Sequence, residues 1–351
     1  AGINIKMVTG DTSVTAKAIA KQVGLWKEDD NEDAIITGTE LSELSDKELR
    51  QRIMKLKVIS RARPMDKKLL VETLQDMNQV VAVTGDGTND APALKAAHVG
   101  LSMGDGTNVA KQASDITITD NSFTSIGRAV MWGRSLYQNI QRFILFQMIV
   151  NVVACLVVVF GAFLGEQPPL TVTQMLWVNL IMDTFAAMAL ASLPPNERVM
   201  QSKPRNRKDF IITKPMGIII ASIGVLFFAF LMTLLYVFKH YDIKAFADIF
   251  LFGEYRGGIG ISPKEGSMFF TVFVMLQFWN MFNAKAYMSG RSAFHFKNCG
   301  SFLLIAAIIL AGQVAIVTFG GKMFSVTPLS VADWVVMIAL TSLVMILGEL
   351  A

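Results

Sequence analysis

The amino-acid sequence predicts a two-part protein, an α/β domain with a doubly wound parallel sheet followed by an all-α membrane bundle. Three observations carry that prediction. Residues 1–140 alternate short apolar runs with charged helical patterns, as βα repeats do. From Phe143 onward, six apolar stretches (143–164, 171–193, 216–238, 267–287, 301–320 and 330–350) dominate. Each approaches the ~20 residues that cross ~30 Å of hydrocarbon. Several early apolar runs end abruptly in Gly, Thr, Asn and Asp, and open parallel sheets hold their ligands at the carboxyl ends of strands. The composition agrees: 52% of the 351 residues are hydrophobic and mean hydropathy is positive, unusual for a soluble chain. The domain boundary is expected at 140–141.

The elements follow in order. A strand at 3–8 (Ile3, Ile5, Met7, Val8) leads into Thr9-Gly10-Asp11-Thr12. There a hydroxyl and backbone amides can cradle phosphate at the start of a helix from Ser13 to Val23. Segment 26–45, rich in Glu, Asp and Thr, is expected to be an exposed connection, with a helix at 45–54. A strand at 57–61 passes through Arg61-Ala62-Arg63-Pro64 to a helix at 66–77. Lys67 in the first turn of that helix is a cation placed to neutralise phosphoryl charge, although a Lys there also suits a solvated helix face. A strand at 79–84 (Val80, Val81, Ala82, Val83) breaks into Gly85-Asp86-Gly87-Thr88-Asn89-Asp90. Asp86 and Asp90 are hard oxygen ligands beside Gly-rich backbone, which suits Mg²⁺ and a phosphoryl group. The plainer alternative is a tight turn of Gly, Asn and Asp. A helix at 91–97 and strands at 98–102 and 116–119 complete the domain.

Within the apolar stretches the polar residues are the informative ones, because an Asp at a helix centre costs roughly 2.5–3.5 kcal/mol to insert. Asn179 and Asp183 are four apart and share a helical face, and Asn151 lies in the preceding span. At 1.5 Å per residue, Asn151 sits ~12 Å and Asp183 ~15 Å from the cytoplasmic ends of antiparallel helices, so the three can meet near the midplane. Pro168-Pro169 in the short outer connection keeps those helices adjacent. One carboxylate with amide oxygens suits a hard cation; interhelical hydrogen bonding would account for Asn151 alone but not for Asp183.

Net charge is only +4, but its placement sets an orientation. Segment 194–215 carries Arg198, Lys203, Arg205, Arg207, Lys208 and Lys214 against Glu197 and Asp209. Segment 285–300 adds Lys285, Arg291 and Lys297 with no acid, while 239–266 is balanced. Excess Lys and Arg mark the cytoplasmic side, so an even number of spans puts both ends there. Polyanion binding by 203–214 is the competing reading, and no nucleic-acid role is expected. Cys155 in the first span and Cys299 at a cytoplasmic boundary read as small apolar residues rather than a disulfide framework.

The segments TGDT (9–12), RARPMDK (61–67) and VTGDGTNDAPALKAAHVGLSMG (83–104), in this order and spacing, resemble the P-type cation-transporting ATPases, and the similarity continues through the membrane region. The resemblance implies a haloacid-dehalogenase-like phosphorylation domain followed by a transmembrane bundle, with ATP as substrate and Mg²⁺ as cofactor. It implies that Thr9, Gly10 and Asp11 line the nucleotide and phosphate side and that Arg61 contacts nucleotide or braces the site. It further implies that Lys67 pairs with the transferred phosphoryl, that Asp86 ligates Mg²⁺, and that Asn89 and Asp90 complete the loop. Such roles suit phosphoryl transfer, which depends on positioning and charge neutralisation. The family's DKTG-type phosphorylated aspartate is absent here, as are its nucleotide-binding and actuator domains and first four membrane helices. The chain therefore resembles the carboxy-terminal part of a longer pump and is expected not to hydrolyse ATP alone.

WVNLIMDTFAAMAL (177–190) looks like the calcium pumps of the plasma-membrane type. Where two-site calcium pumps have an acid, Thr and Glu, this chain has Ala154, Met182 and Gln277. The resemblance implies one Ca²⁺ held by Asn151, Asn179 and Asp183, with further ligands from the absent fourth helix, in a cell membrane. A pump for Mn²⁺, H⁺ or a monovalent cation is the alternative. A phosphatase on an unrelated membrane anchor would leave Asp183 unexplained, and a secondary transporter would have no use for the phosphoryl loops.

Overall fold

The computed structural model describes residues 1–163, 169–251, 253–258 and 260–350, with the side chains of Ala162 and Leu350 excluded. Leu164 and Pro168, which enter the expected first span and its outer connection, lie outside the described residues. The chain divides into two compact units, Ala1–Met131 with Val199–Asp209, and Trp132–Arg198 with Phe210–Ala351.

The first unit is α/β. Its strands are β1 (Met7–Val8), β2 (Ile35–Thr37), β3 (Val58–Ser60), β4 (Ala82–Gly85), β5 (Val99–Met103) and β6 (Ile116–Ile118). All pairings among them are parallel, but the expected single sheet is two three-stranded sheets, ordered β1-β3-β2 and β4-β5-β6. The reason lies at the edges. Among the described residues β1 pairs only with β3 and β4 only with β5, and each is shorter than its apolar run. Ile3, Ile5 and Val80, expected within these strands, are exposed by half or more. Segment 26–45 also differs from expectation. Trp26, Ala34, Ile35 and Ile36 are buried, and Ile35–Thr37 adds a third strand to β3 before α2 (Gly38–Glu43). A three-residue strand between polar flanks leaves too little period-2 pattern to detect.

Helices α1 (Ser13–Gln22), α3 (Asp46–Arg52), α4 (Pro64–Asp76), α5 (Ala91–Ala96) and α6 (Asn108–Ala113) link the strands. Thr12, Thr37, Ser45 and Thr107 cap α1, α2, α3 and α6 by accepting backbone N–H bonds. At α4, Pro64 opens the first turn and the Asp66 carboxylate accepts the Arg63 N–H at 2.8 Å.

The second unit is helical. The long helix α7 spans Phe123–Phe163 and begins in the first unit. α8 (Val172–Leu176), a π-helical turn (Trp177–Met182) and α9 (Asp183–Ala191) follow one another without a break. Then come α10 (Lys214–His240), α11 (Pro263–Ala286), α12 (Gly300–Phe319), the short α13 (Gly321–Phe324) and α14 (Val331–Leu350). Among the described residues five helices are long and apolar enough to cross a membrane: Phe123–Gly161, Val172–Ala191, Lys214–His240, Gly300–Phe319 and Val331–Glu349. The sixth expected span, 267–287, falls on α11, which is long enough but not among the five. α11 is enclosed on nearly every side, from Met268 through Met275 without interruption. A helix shielded by other helices need not be uniformly apolar, and this one carries Gln277, Asn280, Asn283 and Lys285. Trp279 Nε1 donates to Thr341 Oγ1 at 3.2 Å and Asn283 Nδ2 to the Val344 carbonyl at 2.9 Å, stitching α11 to α14.

Candidate phosphoryl and cation sites

Three loops leave the carboxyl ends of β1, β3 and β4, and named bonds tie them together. The Arg61 amide donates to the Asp11 carbonyl at 2.9 Å and the Ala62 amide to the Thr9 carbonyl at 3.0 Å, so loop 9–12 lies against loop 61–63. Arg61 adopts a left-handed φ of +46°, a strained conformation for a non-glycine residue and one that functional loops tend to hold. Thr9 Oγ1 donates to Asp11 Oδ2 at 2.8 Å and accepts the Asp11 amide at 3.2 Å, while Gly10 and Asp11 stay exposed. No methyl group on Gly10 would meet a neighbour within 4 Å, so that loop face is open.

The third loop is joined through α4. Lys67 Nζ donates to Asp90 Oδ1 at 2.5 Å, and Asp90 Oδ2 accepts the amides of Asp86 (3.1 Å) and Gly87 (3.2 Å). Burial acts to raise the Asp90 carboxyl, but the Lys67 ammonium and the Gly87 and Asp86 amides outweigh it and hold it below the usual carboxylate range. Gly85 is needed here, since a methyl group would meet Asp90 Cγ at 2.7 Å. Asp86 and Asn89 point outward, and the Asp86 carboxylate makes no hydrogen bond or ion pair among the described residues. The Asp86 carbonyl accepts the Thr107 amide at 2.8 Å, which anchors the backbone and leaves the side chain open. An open carboxylate beside a bound Lys fits an Mg²⁺ ligand next to a phosphoryl group. Both Asp90 oxygens have partners, Lys67 on one and the loop backbone on the other. Among the described residues no group of three or more His, Cys, Asp or Glu side chains clusters as a preformed metal cage.

In the helical unit Asp183 is 3% exposed. Gln147 Nε2 donates to Asp183 Oδ2 at 3.0 Å, and Oδ1 has no partner among the described residues. Asp183 follows directly on the π-helical turn, and its amide reaches back five residues to the Val178 carbonyl. Single π turns inside α-helices accompany functional sites. Asn151 and Asn179 are exposed, on faces that no described residue covers. Gln147 was missed from sequence, although a signal existed: it is a polar residue in an apolar run, four before Asn151 and hence on the same face. Gln277 is fully buried, and neither amide atom has a partner among the described residues.

Comparisons with known proteins identify the family. The family model "Cation transporting ATPase, C-terminus" matches residues 167–351, more than half of the chain. Two models of haloacid dehalogenase-like hydrolases match residues 1–98 and 67–130. Plasma membrane calcium-transporting ATPase 3 of Homo sapiens is 42% identical over 353 residues, 95% of this chain and 28% of that protein. Calcium-transporting ATPase PAT1 of Dictyostelium discoideum is 39% identical over 365 residues, 95% of this chain and 32% of that protein. Calcium-transporting ATPase 12, plasma membrane-type, of Arabidopsis thaliana is 40% identical over 347 residues, 98% of this chain and 32% of that protein. The chain thus spans only 28 to 32% of the length of these curated relatives. With parallel α/β sheets, long apolar helices and a family model over more than half its length, the chain belongs to the cation-transporting ATPases.

Proposed function

We propose that the chain is the phosphoryl-site and membrane portion of a P-type ATPase that moves Ca²⁺ across a cell membrane through a single Ca²⁺ site. The observation that carries the reading is Asp183: a buried carboxylate with one oxygen unpartnered, next to a π turn in an apolar helix. A group so costly to bury calls for a cation. Asn151 and Asn179, open in this chain, would complete the ligand set once a helix from the rest of the protein covers them. The names of the relatives above, all calcium-transporting, support Ca²⁺ as the cargo.

In the α/β unit Asp86 would hold Mg²⁺, with Asp90 keeping Lys67 beside the transferred phosphoryl. Thr9, Gly10, Asp11 and Arg61 would face the nucleotide, and Asn89 would border the loop. Mg²⁺, when bound, supplies charge neutralisation at the phosphoryl oxygens. The free edges of β1 and β4 support a further strand contributed by the parent protein, the place from which a phosphorylated aspartate would come. Residues 1–140 would form the phosphorylation part and 141–351 the membrane part, with six spans counting α11 and both ends cytoplasmic. Helix α7, unbroken over Phe123–Phe163 and bearing Gln147 and Asn151, would link phosphoryl state to ion affinity.

The test is phosphoenzyme formation from labelled ATP by the full-length parent protein, in micromolar Ca²⁺ or chelator, beside Asp183→Asn. Ca²⁺-dependent labelling that the substitution abolishes is the expected result. Labelling indifferent to Ca²⁺ would overturn the ion assignment and leave the ATPase reading to Mn²⁺, H⁺ or a monovalent cation.

A further inference from the structure

A second polar feature of the helical unit takes no part in ion transport as proposed above. A half-open cleft of about 60 Å³ lies among the end of α11, the loop leading to α12, the turn after α9, and α7. That volume holds a few waters or one tetrahedral anion. Its lining includes Arg142, Lys285, Arg291 and His295, with Asn196 and Ser292 as neutral donors, and no carboxylate.

Two of the cations are deeply buried: Arg142 is 4% and Lys285 6% exposed. Neither is paired with an acid among the described residues. Arg142 Nε donates to the Tyr287 carbonyl at 2.8 Å and Nη1 to Asn139 Oδ1 at 2.7 Å, while Nη2 has no partner among the described residues. Lys285 Nζ donates to the carbonyls of Ala293 (3.0 Å) and His295 (2.8 Å) and lies 4.8 Å from the centre of the Phe296 ring. Carbonyl and ring dipoles solvate these charges without cancelling them. Arg291, at the rim, makes no side-chain hydrogen bond or ion pair among the described residues. The carboxylate that reaches this loop, Glu349, accepts the Ala293 amide and does not line the cleft.

Buried cations without counter-charges are costly, and an anion supplied from outside relieves that cost. Arginine forks are suited to phosphate oxygens, which they bind in a bidentate way. We infer that this cleft is a binding site for a phosphate monoester or diester anion, which clamps α7 to the α9–α10 and α11–α12 connections. Two sources share this chemistry: an acidic phospholipid headgroup at the membrane surface, and free phosphate. The inference concerns binding and does not depend on which ion is transported.

The test uses the delipidated full-length parent protein in neutral detergent, with dioctanoyl phosphatidic acid and inorganic phosphate as probes and native mass spectrometry and thermal unfolding as readouts. Arg291→Glu is the main variant, because its exposed side chain carries no contact needed for folding. His295→Glu is the second, and Lys297→Glu, outside the lining, controls for surface charge. Dioctanoyl phosphatidic acid should bind and raise the melting temperature of the wild type, with affinity falling about tenfold or more in both lining variants and within about twofold of wild type in the control. If millimolar phosphate displaces the lipid with the same variant sensitivity, free phosphate is a ligand in its own right; if it does not, the headgroup is the source. No binding by either probe, or equal weakening by Lys297→Glu, would overturn the site.

Discussion

Asp86 and Asp90 are four residues apart in one loop, yet the structure gives them different work. Asp90 is engaged on both oxygens and Asp86 on neither. Asp86→Asn should therefore leave the melting temperature nearly unchanged while lowering phosphoenzyme formation by about 100-fold or more in the parent protein. A fall in melting temperature as large as that of Asp90→Asn would contradict this division. Asp90→Asn breaks the Lys67 pair and should lower the apparent melting temperature at pH 7 by several degrees, on the order of 1–3 kcal/mol. The sign of its pH dependence follows from the lowered carboxyl. Its folded-state value lies below its unfolded one, so its contribution is complete above the ordinary carboxylate range near pH ~4 and lost as pH falls through the folded value. The gap between wild type and Asp90→Asn should hold above about pH 5 and close as pH falls below about 4; a gap that stays constant into that acid range would show that the ion pair does not stabilise the fold. Residue-level legibility was uneven here. The strand-end loops were readable because Gly, Asn and Asp carry local turn chemistry, but the Lys67–Asp90 pair joins positions 23 apart and depends on how α4 packs.

At the scale of elements, β1 and β4 show what a short parallel strand does without a partner on one side. Met7 and Thr9 amides bond to β3, so by alternation the Val8 amide faces the free edge. In hydrogen-exchange measurements the Val8 amide should exchange rapidly in the isolated chain and slowly in the full-length protein, where a further strand covers it; equal protection in both would argue against a covering strand. Helix α7 offers a second case. Leu136 and Ile140 are about half exposed, so changing both to Gly softens the helix by about 1 kcal/mol each without emptying the core. Ca²⁺ transported per ATP should drop at least twofold with hydrolysis retained, and unchanged stoichiometry would exclude α7 as the link. The strands were overextended in the sequence reading because periodicity reports what a segment prefers, while pairing depends on a neighbour. Strand β2 was missed for the converse reason: a short segment became a strand because β3 was there to pair with it.

For the whole molecule, α11 decides on which side of the membrane each connection lies. If α11 spans, Lys244 and Lys297 stand on opposite sides; if it does not, they share one. Lys244→Cys and Lys297→Cys, each in a background with Cys155 and Cys299 replaced by Ser, should be labelled by impermeant maleimide from outside and inside respectively. Labelling of both from the same side would reduce the count to five spans. The connection between α10 and α11 is held to the bundle by buried carboxylates: Arg256 Nη2 contacts Glu265 Oε2 at 2.8 Å, and the Phe246 amide donates to Asp333 Oδ1 at 2.8 Å. Hydropathy, strand-end turn chemistry and motif order are local properties, so the α/β and membrane halves, the loops at the ends of β1, β3 and β4, and the family were legible from the residues alone. Tertiary structure alone decided the division into two sheets, the enclosure of α11, the meeting of Gln147 with Asp183, and the basic cleft around Arg142 and Lys285. Each of these joins residues distant along the chain, and only the packing of whole helices and strands brings such residues within reach.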